Sequence, residues 1–383
     1  MFQQRFSGGS SMTTRRTALA AACALTLAGF VNAPARADDA PISVGVIANL
    51  TGSDVQSSVD MVHGIELAAA QINAAGGVKG HPIKLIVEDS EYRPQAGIEA
   101  ATKLFDVNKV EAAIVFGGSS VTIPIAELAG PKGKVLLNTS ASSAKLGNYA
   151  GTVFSILPLD DIVGKQVGLY AAKKGAKTAV FIVPNNTFGT GLMDAAAAAF
   201  EQAGGKVLRK IAYTEGQPDY RADLQPLQAA RPDAIVSGGY GDDTRTVFKA
   251  ARELGIEAPW YVAYPSIFSV ENDAWMNGRM SGLDNGGLDS PVGRSIKADY
   301  VAKYKGEPRP HYYYAYDAMT LLGRAMQQGG TDAAAIKAAL PDVVKSYDGA
   351  TGHIEWDARG QRINPPMDYF VFKDGKLEAI AAP

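Results

Sequence analysis

From residue 42 onward the chain alternates short apolar, β-rich runs with longer stretches of helical period. Runs at 42–47, 83–87, 112–116 and 135–138 read as one set of strands; those at 179–183, 207–213, 234–237 and 260–263 read as a second. Between the first two, Met61, Ile65, Ala68, Ala69 and Ile72 recur at three- and four-residue steps, which gives a helix one apolar face. Gly76-Gly77 supplies the stop. Helices at 189–203 and 241–254 interleave the second set. Strand and helix in alternation predict parallel βαβ units, hence two similar α/β lobes in series.

Helical segments near 292–305 and 312–328 have no strand series of their own. They are expected to return and cover an existing sheet, so that the chain crosses between lobes more than once. No long Pro- or Ser-rich linker separates the halves, which predicts short joints, close apposition and hinge closure around a ligand.

The N-terminus belongs to export rather than to the fold. Arg15 and Arg16 form a positive n-region, residues 17–31 are apolar, and Ala35-Arg36-Ala37 has the small-x-small form of a cleavage site. Residues 1–37 are therefore read as a signal peptide cleaved near Ala37, with a mature chain in the periplasm; the apolar run falls short of the roughly 20 residues a membrane span needs. Thr14-Arg15-Arg16 followed by Leu19 leaves the general secretory and twin-arginine routes both open, and either Met1 or Met12 can be the start. The only cysteine, Cys23, lies inside this segment, so the mature chain is expected to hold no disulfide, thiol nucleophile or cysteine metal site.

Length and charge narrow the function. The chain has 383 residues, enough for two lobes with cores of their own. Its net charge of −2 offers polyanions nothing, so nucleic acid is not an expected partner. No G-x-G-x-x-G follows a strand, no G-x-S-x-G elbow or Walker lysine occurs, and His63, His81, His311 and His353 lack metal-ligand spacing. The chain reads as a binder, not an enzyme, with no cofactor and no metal.

In open α/β sheets ligands bind beyond the carboxyl ends of the strands. In the first lobe those loops, 48–58, 117–121 and 138–146, are rich in hydroxyls, among them Ser119, Ser120, Ser140, Ser142 and Ser143. Hydroxyls and free N–H groups at helix starts hold a carboxylate without a full positive charge. Loops 184–190, 238–243 and 263–268 in the second lobe carry Phe188, Tyr240, Tyr264 and Phe268. A polar half facing an aromatic half suits a small amphiphile with an acid at one end. Each feature also has a plain structural use: Ser119 and Ser120 as helix caps, Ser142 and Ser143 as turn residues, Tyr240 as packing.

Several segments together resemble the type I periplasmic binding proteins of the leucine, isoleucine and valine family, over essentially the whole mature length. They are the opening strand with Leu50-Thr51-Gly52, the run from Gln71 to Gly80, Phe188-Gly189, Gly238-Gly239-Tyr240, Tyr314-Ala315-Tyr316-Asp317-Ala318, and Gly352 to Gly360. The resemblance implies two Rossmann-like lobes joined by three crossovers, 41–157 plus 288–352 and 158–287 plus 353–383, enclosing a ligand between them. It implies the solute-binding component of an ABC importer, a monomer whose partners are the ligand and membrane permease subunits. A ligand sensor of the same fold is the alternative.

Carried over by position, the resemblance puts the ligand carboxylate on the loops of Gly117, Ser119 and Ser120 and of Ala141 and Ser142, and the second-lobe aromatics at Phe188 and Tyr240; Tyr264 is added from its strand-end loop. The sequence departs from the family in two places. Pro265 stands where amino-acid binders of this type place an acid for the ammonium, and no Asp or Glu follows before Glu271. An unpaired buried ammonium costs several kcal/mol, so either Asp242 or Asp243 takes over or the ligand has no amino group. Ser57 stands where the family's leucine binder has a tryptophan, leaving room for a bulkier group. A hydrophobic or branched-chain amino acid and an aromatic or keto acid both remain open as ligand.

Overall fold

The computed structural model describes residues 40–52, 54–268 and 273–383. The expected export segment, with Arg15, Arg16, Cys23 and the cleavage site, lies outside the described residues. Among the described residues no helix is long and apolar enough to cross a membrane.

The first sheet takes β1 (Ile42–Ala48), β2 (Ile83–Asp89), β3 (Ala112–Val115), β4 (Val135–Asn138) and β5 (Val153–Ser155), in the order β2-β1-β3-β4-β5. All of its pairings are parallel. β3 and β4 are buried at every position, as near-continuous apolar runs require in a sheet covered on both faces. α1 (Val55–Ala74), α2 (Pro94–Thr102) and α3 (Ser119–Ala129) supply the crossovers. α1 stops where the two glycines stand: Gly76 and Gly77 have φ of 102° and 75°, and the Gly77 N–H donates to the Ile72 carbonyl at 2.9 Å.

After α4 (Asp160–Lys173) the second sheet takes β6 (Thr178–Pro184), β7 (Lys206–Tyr213), β8 (Ala234–Gly238), β9 (Trp260–Ala263) and β10 (Met280–Asn285). α5 (Thr187–Gln202), α6 (Arg221–Ala230) and α7 (Gly241–Glu253) connect its first strands. α8 (Pro291–Tyr304), α9 (Pro310–Gln328) and α10 (Ala333–Val344) then return, and α9 and α10 join the core of the first sheet beside α1. The chain closes with two short ladders, β11 (Asp348–Gly349) with β12 (Gly352–His353) and β13 (Glu355–Trp356) with β14 (Arg362–Ile363). It ends on β15 (Met367–Lys373) and β16 (Lys376–Ile380). The second sheet runs β16-β15-β10-β9-β8-β6-β7, with β15 and β16 antiparallel at one edge. Two Rossmann-like lobes are the result.

Residues 354–362 stay with the first sheet: Trp356 lies 5.3 Å from the Phe154 ring and donates to the Ser155 carbonyl, and the Ser155 hydroxyl donates to Gln361. On these contacts we place the last crossover between Ile363 and Met367, later than the 352/353 boundary expected from the sequence. β10 has no counterpart in the strands read from sequence.

Helices α4 and α5 approach closely because Gly164 and Gly168 have no side chain. A Cβ at Gly168 would run into the Ala196 carbonyl, and one at Gly164 would lie 2.8 Å from the Leu192 carbonyl. Gly168→Ala is therefore expected to destabilise the protein by about 1–3 kcal/mol, with Gly306→Ala, in open space, inside about 0.5 kcal/mol. Urea denaturation of the two variants checks the contrast, and equal midpoints would refute this account of the helix contact.

Candidate functional site

A cleft of about 670 Å³, its open mouth included, lies where the carboxyl ends of both sheets meet. Its first-lobe wall is built from two stitched loops. The Ser140 hydroxyl donates to the Gly117 carbonyl at 2.9 Å. The Ser143 N–H donates to the Ser119 hydroxyl at 3.1 Å. Ser119 thus crosses to a neighbouring loop and does not cap α3, whose N-cap is Gly118 without a side-chain bond. With its oxygen satisfied in this way, the Ser119 hydroxyl keeps its proton for a ligand; the Val121 N–H already donates to the Gly118 carbonyl at 2.9 Å, so the N–H groups at the start of α3 without an intrahelical acceptor are those of Ser119 and Ser120.

The second-lobe wall is aromatic. Phe188 stands in the first turn of α5, 5.8 Å from the Tyr240 ring and 6.0 Å from that of Tyr264. Tyr240 is held from behind, donating to Glu215 while the Asn186 amide donates to it at 2.8 Å. Across the cleft Tyr92 meets Tyr240 edge-on at 6.3 Å. Tyr264 adopts left-handed backbone, φ 59°, and its phenol donates to buried Asp160 at 3.2 Å.

Two acidic side chains line the cleft, and among the described lining residues there is no lysine or arginine. Asp284, at the end of β10, accepts from the Ser266 N–H at 3.0 Å and from the Asn285 N–H at 3.0 Å. Burial nevertheless pushes its carboxyl up to about 6. Burial also raises Asp54, against the Arg309 guanidinium 3.5 Å away. At the start of α9, His311 packs 4.9 Å from Phe116, and burial lowers its pKa to about 4, leaving a neutral imidazole at neutral pH. Three buried atoms facing this end have no hydrogen-bond partner: Asn285 Oδ1, His311 Nδ1 and the Tyr314 hydroxyl.

Of the residues expected at the site, Gly117, Ser119, Ser142, Phe188, Tyr240 and Tyr264 line this cleft. Four others do not. Ser57 is buried in the first turn of α1, where Arg309 donates to its hydroxyl at 3.3 Å. Ser120, one position past Ser119 in α3, is turned off the cleft face. Ala141 is buried with both backbone groups engaged by the Asn138 side chain, so it shapes the loop and has no N–H to offer. Asp242 points to solvent and pairs with Arg245 at 3.2 Å. Asp243 accepts from Tyr220 at 2.6 Å and from the Gly216 N–H, so neither acid can meet an ammonium in the cleft.

An acid does stand near Pro265, contributed by the adjacent strand: Asp284, which accepts from the Ser266 N–H of that loop. The rule that strand ends carry the ligand would have found Asp284 and Asn285 had the strand at 280–285 been recognised. Tyr92 and His311 carry no local signal, and Tyr314 is marked only as the first residue of the Tyr314 to Ala318 string; the packing of whole helices and loops brings all three in.

Residues 41–376 match the family described as periplasmic binding protein. A relative named amino acid binding protein, from Pseudomonas aeruginosa, is 27% identical over 87% of this chain and 90% of its own. Another from that organism, a leucine-, isoleucine-, valine-, threonine- and alanine-binding protein, is 24% identical over 91% and 94%. Among solved structures, a leucine binding protein of Thermotoga maritima superposes with TM-score 0.80 at 22% identity, covering 89% of this chain and 98% of its own. A solute binding protein of an ABC transporter from R. palustris, in complex with benzoate, superposes with TM-score 0.78 at 19% identity, covering 89% and 95%. At these identities the two structures establish the fold.

Asp160 offers a test of the buried wall. It is wholly inaccessible, and burial pushes its carboxyl up to about 7 from an ordinary value of 3.8. A carboxyl raised on folding stabilises the folded state fully below its unfolded value and loses that contribution as pH rises through the folded one. Asp160→Asn escapes the loss, so its stability relative to the natural chain is expected to rise between about pH 4 and 7, by on the order of a few kcal/mol. Urea denaturation across that window measures it, and parallel pH curves for the two proteins would contradict the assignment.

Proposed function

The chain belongs to the periplasmic binding protein family, and from that premise we propose that it is the periplasmic solute-binding component of an ABC importer. It captures a small carboxylate-bearing ligand as its lobes close and presents it to membrane permease subunits. The observation that carries this reading is the two-sided cleft, with the Ser119 hydroxyl and the start of α3 on one wall and Phe188, Tyr240 and Tyr264 on the other. One wall suits a carboxylate, the other an apolar or aromatic body.

The charges inside favour a ligand that also carries a protonated amino group. At an effective dielectric of about 20, unit charges about 6 Å apart interact by roughly 3 kcal/mol, about a hundredfold in affinity. Asp284 applies that energy in favour of an ammonium and against a second anion, since Asp54 is paired with Arg309, and among the described lining residues there is no cation to reverse it. An aromatic acid without the amino group is the second reading, favoured by the ring-lined wall and by the benzoate held in the R. palustris relative.

Thermal shifts of the mature chain, freed of ligand by unfolding and refolding, test the reading against hydrophobic amino acids and amino-free aromatic or aliphatic acids. A true ligand at about 100 times its Kd adds about 2.7 kcal/mol of stability. Asp284→Asn is expected to weaken amino-bearing ligands roughly tenfold to a hundredfold and amino-free acids far less. Ser119→Ala is expected to cost both classes about 1.5–3 kcal/mol, read by calorimetric titration. A chain that responds to neither panel is not a carboxylate binder of this kind.

A further inference from the structure

Behind the cleft, where Ser142 of the first lobe meets Tyr264 of the second, Asp160 occupies the start of α4. Its N–H donates to the Ser142 carbonyl at 2.6 Å, and its Oδ1 accepts from the Tyr264 phenol at 3.2 Å. Its Oδ2 is buried without a partner. Tyr264, whose hydroxyl donates to it, lines the cleft, and so does Ser142, whose hydroxyl acts by hydrogen bonding on both Asp160 and Tyr264, whereas Asp160 does not. A hydroxyl has one proton and two lone pairs, and an ionised carboxylate can only accept. When Ser142 and Tyr264 give their protons to Asp160, they turn lone pairs toward the ligand.

We propose that Asp160 is a positioning residue that sets the hydrogen-bond polarity of Ser142 and Tyr264 and thereby selects between ligand head groups. With Asp160 ionised, both hydroxyls accept from a ligand ammonium and neither donates to a carboxylate, which leaves the carboxylate to Ser119 and the α3 N-terminus. With Asp160 protonated, its own O–H donates to one of them and frees that hydroxyl's proton for an anion. The inference rests on the carboxylate-binding reading above and adds to it which groups the two lobes offer.

The balance lies in an accessible pH range. Burial is the largest cause raising Asp160 to about 7, opposed by hydrogen bonds from Ser142 and Tyr264 and assisted by Asp161. The other charged or titratable groups facing this corner are Asp284 at the end of β10 and Tyr314 on α9, both acting on Tyr264. Asp284, at about 6, titrates separately and in the same direction, since its protonation also weakens an ammonium and relieves an anion.

The test measures, by calorimetric titration between about pH 5.5 and 8, the affinity of the mature chain for a hydrophobic amino acid and for the matching acid without its amino group. The preference for the amino acid is expected to rise in two steps, near pH 6 and near pH 7, each by at most about tenfold per pH unit because each links one proton. Asp160→Asn should abolish the upper step and keep the lower, and Asp284→Asn the reverse. Tyr264→Phe, which removes a donor to the carboxylate, should move the upper step to higher pH and serves if Asp160→Asn does not fold. An unchanged profile in Asp160→Asn, or an unmoved step in Tyr264→Phe, with binding intact, overturns this inference alone. A natural chain that binds neither compound overturns the functional reading and this inference with it.

Discussion

One buried guanidinium holds the places where the chain changes sheets. Arg362 is almost wholly inaccessible, and such a charge is tolerated only when its N–H groups find acceptors. Its Nη1 donates to the Ile156 carbonyl and the Thr351 hydroxyl, both at 2.9 Å, and its Nη2 to the carbonyls of Thr351 and His353. Ile156 follows the last strand of the first sheet, while Thr351 lies in the turn of the β11–β12 ladder and His353 in its second strand. A side chain near the end of the chain thus ties together segments about 200 residues apart. Asp317 completes the arrangement from α9, its carboxylate accepting from Tyr347, from the Ala350 and Thr351 N–H groups and from the Thr351 hydroxyl. Removing Arg362 would strand the buried carbonyls it serves, and removing Asp317 would strand the Ala350 and Thr351 N–H groups.

The chemistry of the cleft follows from how the sheets are anchored. Because the carboxyl ends of both sheets face one another, each wall is assembled from loops that the sheets place side by side. Hydroxyls and helix starts gather on one wall, and rings backed by Glu215 and Asn186 gather on the other. The acid opposite them is supplied by strand adjacency: β10 lies beside β9, so Asp284 reaches the backbone of Ser266 in the neighbouring loop. Among the described lining residues there is no lysine or arginine, so on the proposed reading hydrogen-bond donors hold the ligand anion and Asp284 favours a positive group.

Much of the fold was legible from hydrophobic period. β1, β3, β4, β6, β8 and β9 are short, largely buried runs rich in Val, Ile, Leu and Ala, and the paired glycines after α1 mark its end. β10 was not legible, because Met-Ser-Gly-Leu-Asp-Asn contains two apolar residues and two polar ones that the site uses. The strands β15 and β16 pair antiparallel at the edge and are mostly half-buried or exposed, a weaker pattern than the central strands. The motif from Gly352 to Gly360 was visible as a string, but its attachment to the first sheet through Trp356 and Phe154 was not.

The sequence by itself determined the class of fold, the loops that carry the site, and six of the residues that line it, because hydrophobic period and strand-end position are local properties. Tertiary structure decided the rest. Asp242 is a plausible ammonium partner in one dimension, yet the rotation of α7 sends it to solvent; Asp284, twenty residues beyond the expected position in round terms, is brought there by β-pairing. Tyr92, His311 and Tyr314 enter because α9 packs on α1 and the loops close over the sheet. Which way Ser142 and Tyr264 point their protons depends on Asp160, a group that no local pattern connects with either. Contacts between residues far apart in the chain set the charge and hydrogen-bond direction of a site, and those contacts exist only once the sheets have formed.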